Sequence, residues 1–115
     1  MKIRSRKAKG RRLQNWVRDK LLSLFTNLSS DDISCAIMGE SGVDIKLSPK
    51  AREIIPYSIE CKNKETFKGI YDIMEQAKSN SIKNMTPLAV IKMNKVEPLV
   101  ILDAEVFFKL VRDNG

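Results

Sequence analysis

Two short segments in which apolar and polar residues alternate constrain the fold of this chain more than any other feature. Residues 43–47 read Val-Asp-Ile-Lys-Leu, and residues 57–62 read Tyr-Ser-Ile-Glu-Cys-Lys. Successive side chains of a β-strand point to opposite faces of a sheet, so each segment predicts a strand with one apolar and one polar face. The apolar faces have to be covered, and helical segments elsewhere in the chain can cover them.

Helical periodicity predicts three helices around these strands. Apolar residues recur every three or four positions across residues 8–27, which indicates one face of a long helix. Trp16 belongs to this face, so we expect it in the core, and the alternative is a platform on which a base stacks. The same spacing indicates a second helix from Phe67 to Ala77 and a last helix capped by Asp103. Further strands are predicted at residues 33–37, 88–93 and 96–102, the last two as a hairpin. The order α-β-β-β-α-β-β-α contains a crossover helix, so we expect an α/β fold with a mixed sheet flanked by helices.

The positive charge of the chain is concentrated at its N-terminus. The formal net charge is +7, and residues 1–12 hold seven cations and no acid, so the remainder is balanced. We therefore expect a basic N-terminal arm, residues 1–12, that leads into helix one, and a single domain over residues 8–115. Such an arm indicates a polyanionic partner such as DNA, and the alternative is a solvated tail that aids solubility. The cations of the arm that we expect to contact DNA are Arg4, Arg6, Lys7, Lys9, Arg11 and Arg12.

Length, apolar runs and cysteine content argue against several classes of protein. A chain of 115 residues has room for one modest core. Its apolar runs are too short to span a membrane and no apolar segment follows the basic N-terminus, so we expect neither a membrane partner nor a signal peptide. Cys35 and Cys61 are too few for a disulfide framework, and a cytoplasmic setting is expected. Without histidine, a structural zinc site lacks its usual ligands, which leaves a hard cation bound by oxygen atoms.

Asp44, Glu60 and Lys62 form the candidate catalytic group. Glu60 and Lys62 project from one face of their predicted strand, and Asp44 stands beside Glu60 if the two strands are neighbours. Adjacent carboxylates repel each other, and a Mg²⁺ ion between them removes that cost. We expect Asp44, Glu60 and the backbone carbonyl of Cys61 to bind Mg²⁺, with Mn²⁺ able to substitute, and Lys62 to stabilise charge during phosphodiester hydrolysis. The alternative is an exposed sheet face on which Glu60 and Lys62 are merely solvated neighbours.

The spacing of these motifs resembles that of a nuclease superfamily. Gly-Val-Asp at residues 42–44, followed by Ile-Glu-Cys-Lys at residues 59–62, resembles the signature of the PD-(D/E)xK nucleases. The order of elements resembles their restriction-endonuclease-like αβββαβ core. The likeness is strongest to archaeal-type Holliday junction resolvases and small phage-encoded endonucleases, in which a Lys-Gly pair like that at residues 9–10 opens the first helix. The resemblance covers roughly residues 7–110, so the domain predicted over residues 8–115 is expected to be a single nuclease domain.

This resemblance also implies an activity. It implies a Mg²⁺-dependent endonuclease that hydrolyses DNA phosphodiester bonds, on branched DNA such as Holliday junctions, in DNA recombination. A phage-encoded protein of this kind would act in the cytoplasm of the bacterial host. Two alternatives stay open: a nuclease that nicks or trims linear DNA, and a nucleic-acid-binding module without catalysis.

Three further residues are assigned by the resemblance. Resolvases of this type carry a metal-supporting glutamate in the first helix, four residues after the glycine, where this chain has Gln14. An amide can orient water or donate to phosphate, so Gln14 is expected to contact DNA, or else to be an ordinary helix-surface residue. Many members place a glutamine near the active site from the helix after the catalytic strand, which suggests a catalytic contact for Gln76, unless it faces solvent. Ser41, in the loop before Asp44, is expected to contact the DNA backbone.

The expected quaternary structure follows from the expected substrate. Resolution of a four-way junction needs two nicks, and the chain contains one copy of each catalytic motif. A resolvase of this size would therefore act as a homodimer with two-fold symmetry. The candidate interface is the apolar C-terminal segment that contains Val106, Phe107, Phe108 and Leu110.

Overall fold

The computed structural model describes residues 3–37, 39–66 and 68–114, with the side chains of residues 3–6 excluded. Within these ranges the chain forms four helices and five strands, in the predicted order except for one additional short helix. The elements are α1 (Ile3–Leu24), β1 (Ile33–Cys35), β2 (Ile45–Leu47), α2 (Pro49–Ile54), β3 (Tyr57–Asn63), α3 (Ile70–Asn80), β4 (Thr86–Lys92), β5 (Leu99–Ile101) and α4 (Ala104–Asn114). The additional helix is α2, which starts at Pro49 because the Ser48 hydroxyl accepts a hydrogen bond from the Ala51 N–H.

Three strands form a mixed sheet in the order β3-β4-β5. The crossover through α3 places β3 and β4 parallel, and the predicted hairpin between β4 and β5 is confirmed as antiparallel. One face of the sheet packs against α1 through Ile59, Cys61 and Val90. The other face packs against α3 through Ala89 and Ile91. The expectation of an α/β fold with a mixed sheet flanked by helices is confirmed.

Strands β1 and β2 form a separate antiparallel hairpin. Ile33 and Ile45 are its most buried residues and belong to the core beneath α1. No ladder joins β2 to β3 in the described part of the chain. The hairpin approaches the sheet at the outer edge of β3, where the side chain of Asp44 makes the contact that a neighbouring strand would otherwise make.

Helix α1 differs from its prediction at both ends and in one buried residue. It runs through the basic arm from Ile3, because Lys, Arg and Ala favour helix even without an apolar face, and it ends at Leu24 rather than residue 27. The placement of Trp16 in the core is wrong, because 43% of that residue is exposed. Strand β5 has only three residues, and an open groove remains between Trp16 and Val100.

The later helices begin after specific backbone features. Gly69 precedes α3 with a φ of 68°, so the helix starts at Ile70, whereas the predicted start at Phe67 lies outside the described residues. The carbonyl of Asp103 accepts the first backbone hydrogen bonds of α4, while its side chain forms an ion pair with Lys78 at 3.2 Å. None of the helices described is both long and apolar enough to cross a membrane.

Candidate active site

Asp44 is held at the open edge of β3. One edge of β3 bonds to β4, and the other is left without a strand partner within the described chain. The backbone N–H of Cys61 points to this open edge and donates to Oδ2 of Asp44 at 2.8 Å. The backbone carbonyl of Asp44 accepts from the Ala36 N–H at 2.8 Å, which extends the β1–β2 hairpin by one bond. Asp44 is therefore fixed by the hairpin through its backbone and by β3 through its side chain.

Glu60 lies beside Asp44 and is buried. Only 3% of Glu60 is exposed, and its Oε2 accepts a hydrogen bond from Nδ2 of Asn80 at 3.1 Å. Burial and, after it, the neighbouring Asp44 carboxylate together raise the pKa of Glu60 to about 7, against the opposing effects of Asn80 and Lys62. Two carboxyl groups thus share a site in which full ionisation of both is unfavourable.

A cleft of about 600 Å³ opens beside this pair, with Asp44 in its lining. Gln14, Asp44, Cys61 and Lys62 all line it, so four of the predicted site residues meet in one cavity. Glu60 lies beneath, on the side of β3 that faces α3, and Lys62 shares that side because side chains alternate along the strand. The alternation that predicted Glu60 and Lys62 on one face therefore holds, but only Lys62 lines the cleft.

The donor atoms of the cleft fit a hard divalent cation. The described residues contain no cluster of three or more His, Cys, Asp or Glu side chains, so a cation here would use the two carboxylates, backbone oxygen and water. Mg²⁺ accepts such a set, because it is commonly held by one or two carboxylates together with substrate phosphate. The carbonyl of Cys61 is oriented to the same edge as its N–H, since both groups of a strand residue point to one side. The Cys61 thiol packs against α1 instead, and burial raises its pKa.

Two residues predicted near the catalytic group lie away from it. Gln76 is exposed on α3, and Asn80, one helical turn later, makes the contact with Glu60. Ser41 is exposed in the loop before β2 and is outside the set of residues that line the cleft. The neighbouring Glu40 lines the cleft, but it accepts from the Ile37 N–H at 2.9 Å and pairs with Lys46, which stabilises the loop.

The basic residues of the arm lie along α1. Lys7, Arg11 and Arg12 are exposed, and Lys9 is half-buried. The side chains of Arg4 and Arg6 lie outside the described residues. Gly10 and Gln14, on the same helix, line the cleft beside Asp44, so the basic end of α1 is adjacent to the candidate active site.

Two asparagines at the site were missed by sequence reasoning. Asn80 sits at the end of α3, where asparagine is usually interpreted as a helix-terminating residue. Asn63 follows Lys62 on β3, and its Nδ2 donates to the carbonyl of Lys9 at 3.3 Å, which joins α1 to β3. Its Oδ1 is buried and has no hydrogen-bond partner among the described residues. The continued alternation beyond Lys62 was the available signal for Asn63, and Asn80 had none.

Comparisons with protein-family models, with curated proteins and with solved structures found no match.

Proposed function

We propose that this chain is a Mg²⁺-dependent endonuclease of the PD-(D/E)xK type that hydrolyses DNA phosphodiester bonds. The observation that carries the proposal is the closeness of the Asp44 and Glu60 carboxyl groups at the open edge of β3, beside a cleft that Asp44 and Lys62 line. A buried carboxylate with a second carboxylate beside it, as Glu60 has in Asp44, destabilises a fold unless a cation or proton balances the charge, and a cleft beside such a pair suits a phosphate ligand.

Each residue of the cleft has a separate role in this proposal. Asp44, Glu60 and the carbonyl of Cys61 hold Mg²⁺ or Mn²⁺, and the N–H of Cys61 and the amide of Asn80 orient the two carboxylates. The bound ion would supply an activated water and charge stabilisation at phosphorus. Lys62 contributes a positive charge to the phosphate oxygens as their charge increases in the transition state.

The basic face of α1 supplies the proposed contact with the DNA backbone. It carries Lys7, Lys9, Arg11 and Arg12 in the described region and continues into Arg4 and Arg6 by sequence. Gln14 reaches the catalytic cleft from the same helix, where its amide can donate to a phosphate oxygen. Ser41 stays a proposed contact for the DNA backbone, and Gln76 stays a proposed contact in the catalytic site. Both side chains are exposed and are therefore accessible to DNA.

Branched DNA, such as a Holliday junction, is the proposed substrate, and a two-fold homodimer is the proposed assembly. Helix α4 has an apolar face without buried residues: Phe107 is 53% exposed and Phe108 is 60% exposed. An exposed apolar patch of this kind favours association. Sedimentation should therefore give a mass near twice 13.1 kDa, whereas a strict monomer on junction DNA would favour the enzyme that makes a single nick.

The proposal is tested by incubating the protein with four-way junction, flap, single-stranded and linear duplex DNA, with and without Mg²⁺. We expect paired nicks in the junction that require Mg²⁺ or Mn²⁺ and that EDTA suppresses. Equal cleavage of linear duplex would favour a nicking or trimming enzyme instead. Absence of metal-dependent cleavage on every substrate would contradict the proposal and favour a non-catalytic DNA-binding module.

A further inference from the structure

A second cleft, of about 760 Å³, adjoins the catalytic one. The two clefts meet at Asn63, which lines both. The charged residues that line the second cleft are four cations and one acid, namely Lys9, Arg12, Lys92, Lys95 and Glu97. The excess of positive charge favours an anionic ligand. None of these five residues is used by the chemistry proposed for the first cleft.

Trp16 forms part of the wall of this second cleft. It is 43% exposed, and Nζ of Lys20 lies 5.6 Å from the centroid of its ring. A large aromatic side chain left half-exposed beside several cations is the combination that binds single-stranded nucleic acid, since bases stack on the ring while cations contact phosphates. A base within a duplex is already stacked and paired, so this arrangement selects an unpaired nucleotide.

Two hydrogen bonds between the clefts fix the position of one cleft relative to the other. Nδ2 of Asn63 donates to the Lys9 carbonyl at 3.3 Å, and Nζ of Lys9 donates to Oδ1 of Asn94 at 2.5 Å. These bonds connect α1 to the end of β3 and to the turn between β4 and β5. Because Asn63 lines both clefts, a DNA strand bound in the first cleft can continue into the second within a nucleotide or so.

We propose that the second cleft binds one unpaired nucleotide of the DNA strand next to the scissile bond. Trp16 stacks on its base, and Arg12, Lys92 and Lys95 contact the flanking phosphates. This inference rests on the proposed nuclease function, because it identifies the bound nucleotide as part of the cleaved strand. It narrows the substrate to DNA in which a base beside the cut is unpaired, as at a flap or an opened branch point.

Trp16 is the only tryptophan in the sequence, so the intrinsic fluorescence of the protein reports directly on this cleft. In EDTA, which prevents metal-dependent cleavage, we expect an oligothymidylate of about eight nucleotides to quench this fluorescence, and a blunt duplex of equal length to quench it much less. Trp16→Leu keeps an apolar side chain but removes the fluorescent reporter, so its affinity is measured by the anisotropy of a labelled oligonucleotide; it should weaken single-strand binding about 5- to 100-fold and duplex binding little. Trp16→Phe should restore most of the affinity. Lys109→Gln on α4 changes a residue that lines neither cleft and should leave both affinities unchanged.

The outcomes separate this inference from the proposed function. Equal quenching by single-stranded and duplex DNA, or unchanged single-strand affinity in Trp16→Leu, would overturn the inference even if Mg²⁺-dependent cleavage were observed. Selective quenching without metal-dependent cleavage on any substrate would overturn the nuclease, and with it the assignment of the nucleotide to a scissile strand. Selective quenching together with cleavage beside unpaired bases would support both.

Discussion

The two edges of the three-stranded sheet are built in opposite ways. At the β3 edge, charged groups are taken out of water: Glu60 is 3% exposed and Asp44 is bonded to the strand backbone. At the β5 edge, apolar groups face solvent, with Leu99 63% exposed and Val100 58% exposed. A protein selected for stability alone would bury the apolar side chains of β5 and expose the carboxyl groups at β3. The departure at the β3 edge is explained if that edge binds a cation and phosphate.

The largest expected effect tests the β3 edge directly. Asp44→Asn and Glu60→Gln should each abolish cleavage of junction DNA, because each removes a charge that the proposed cation needs. Glu53→Gln, an exposed carboxylate on α2, is the matched control and should cleave normally. Circular dichroism should show that all three variants are folded. Near-normal cleavage by both Asp44→Asn and Glu60→Gln would remove the functional reason for the buried pair.

A smaller effect is expected from the lysine at the same edge. Lys62→Ala should lower the rate of cleavage by roughly 10²-fold, as expected for the loss of an electrostatic stabiliser, with little change in DNA affinity. Lys64→Ala is the control within the same cleft, since Lys64 follows the end of β3. Single-turnover rates and binding isotherms measured on the same junction separate the two quantities. A parallel loss of rate and affinity in Lys62→Ala would make Lys62 a binding residue.

The cost of burying Glu60 should be visible in the pH dependence of stability. Burial raises the pKa of Glu60 from its ordinary 4.5 to about 7, so the folded state favours the protonated side chain. The stability gained from this preference is fully present below the ordinary pKa of 4.5 and is lost as the pH rises through 7. In EDTA, the free energy of unfolding in urea should fall by about 1–3 kcal/mol between roughly pH 5 and pH 8. The fall should be absent in Glu60→Gln and reversed by Mg²⁺; an identical fall in Glu60→Gln would assign it to another group.

The smallest effect concerns the glycine where α1 passes the cleft. A Cβ added at Gly10 would meet no atom within 4 Å, so internal packing does not require glycine there. Glycine inside a helix costs about 0.5–1 kcal/mol relative to alanine. Gly10→Ala should therefore raise the free energy of unfolding by about that amount, and should weaken DNA binding several-fold because the methyl group enters the space of the approaching backbone. Increased stability with unchanged binding would show that Gly10 has no role in the cleft.

The two edges also differ in how far the sequence could predict them. The β3 edge was predictable from local rules, because alternation along one strand places Glu60 and Lys62 together. Contacts between distant segments were not predictable: Asn80 reaches Glu60 from the end of a helix, and Asn63 bonds to α1. At the β5 edge, the helical pattern placed Trp16 in the core. Trp16 is exposed because β5 is only three residues long and leaves a groove beside it. The periodicity of α1 gives no information about the length of β5.

Direct measurement of Mn²⁺ binding tests the central claim, that Asp44 and Glu60 form a metal site. Electron paramagnetic resonance of free Mn²⁺ should show binding by the unmodified protein without DNA, competition by Mg²⁺, and marked loss of binding in Asp44→Asn and in Glu60→Gln but not in Glu53→Gln. Binding should also weaken below about pH 6, where protons compete for the carboxylate pair. Equal Mn²⁺ binding by all four proteins, or none by the unmodified protein even with DNA present, would contradict the account.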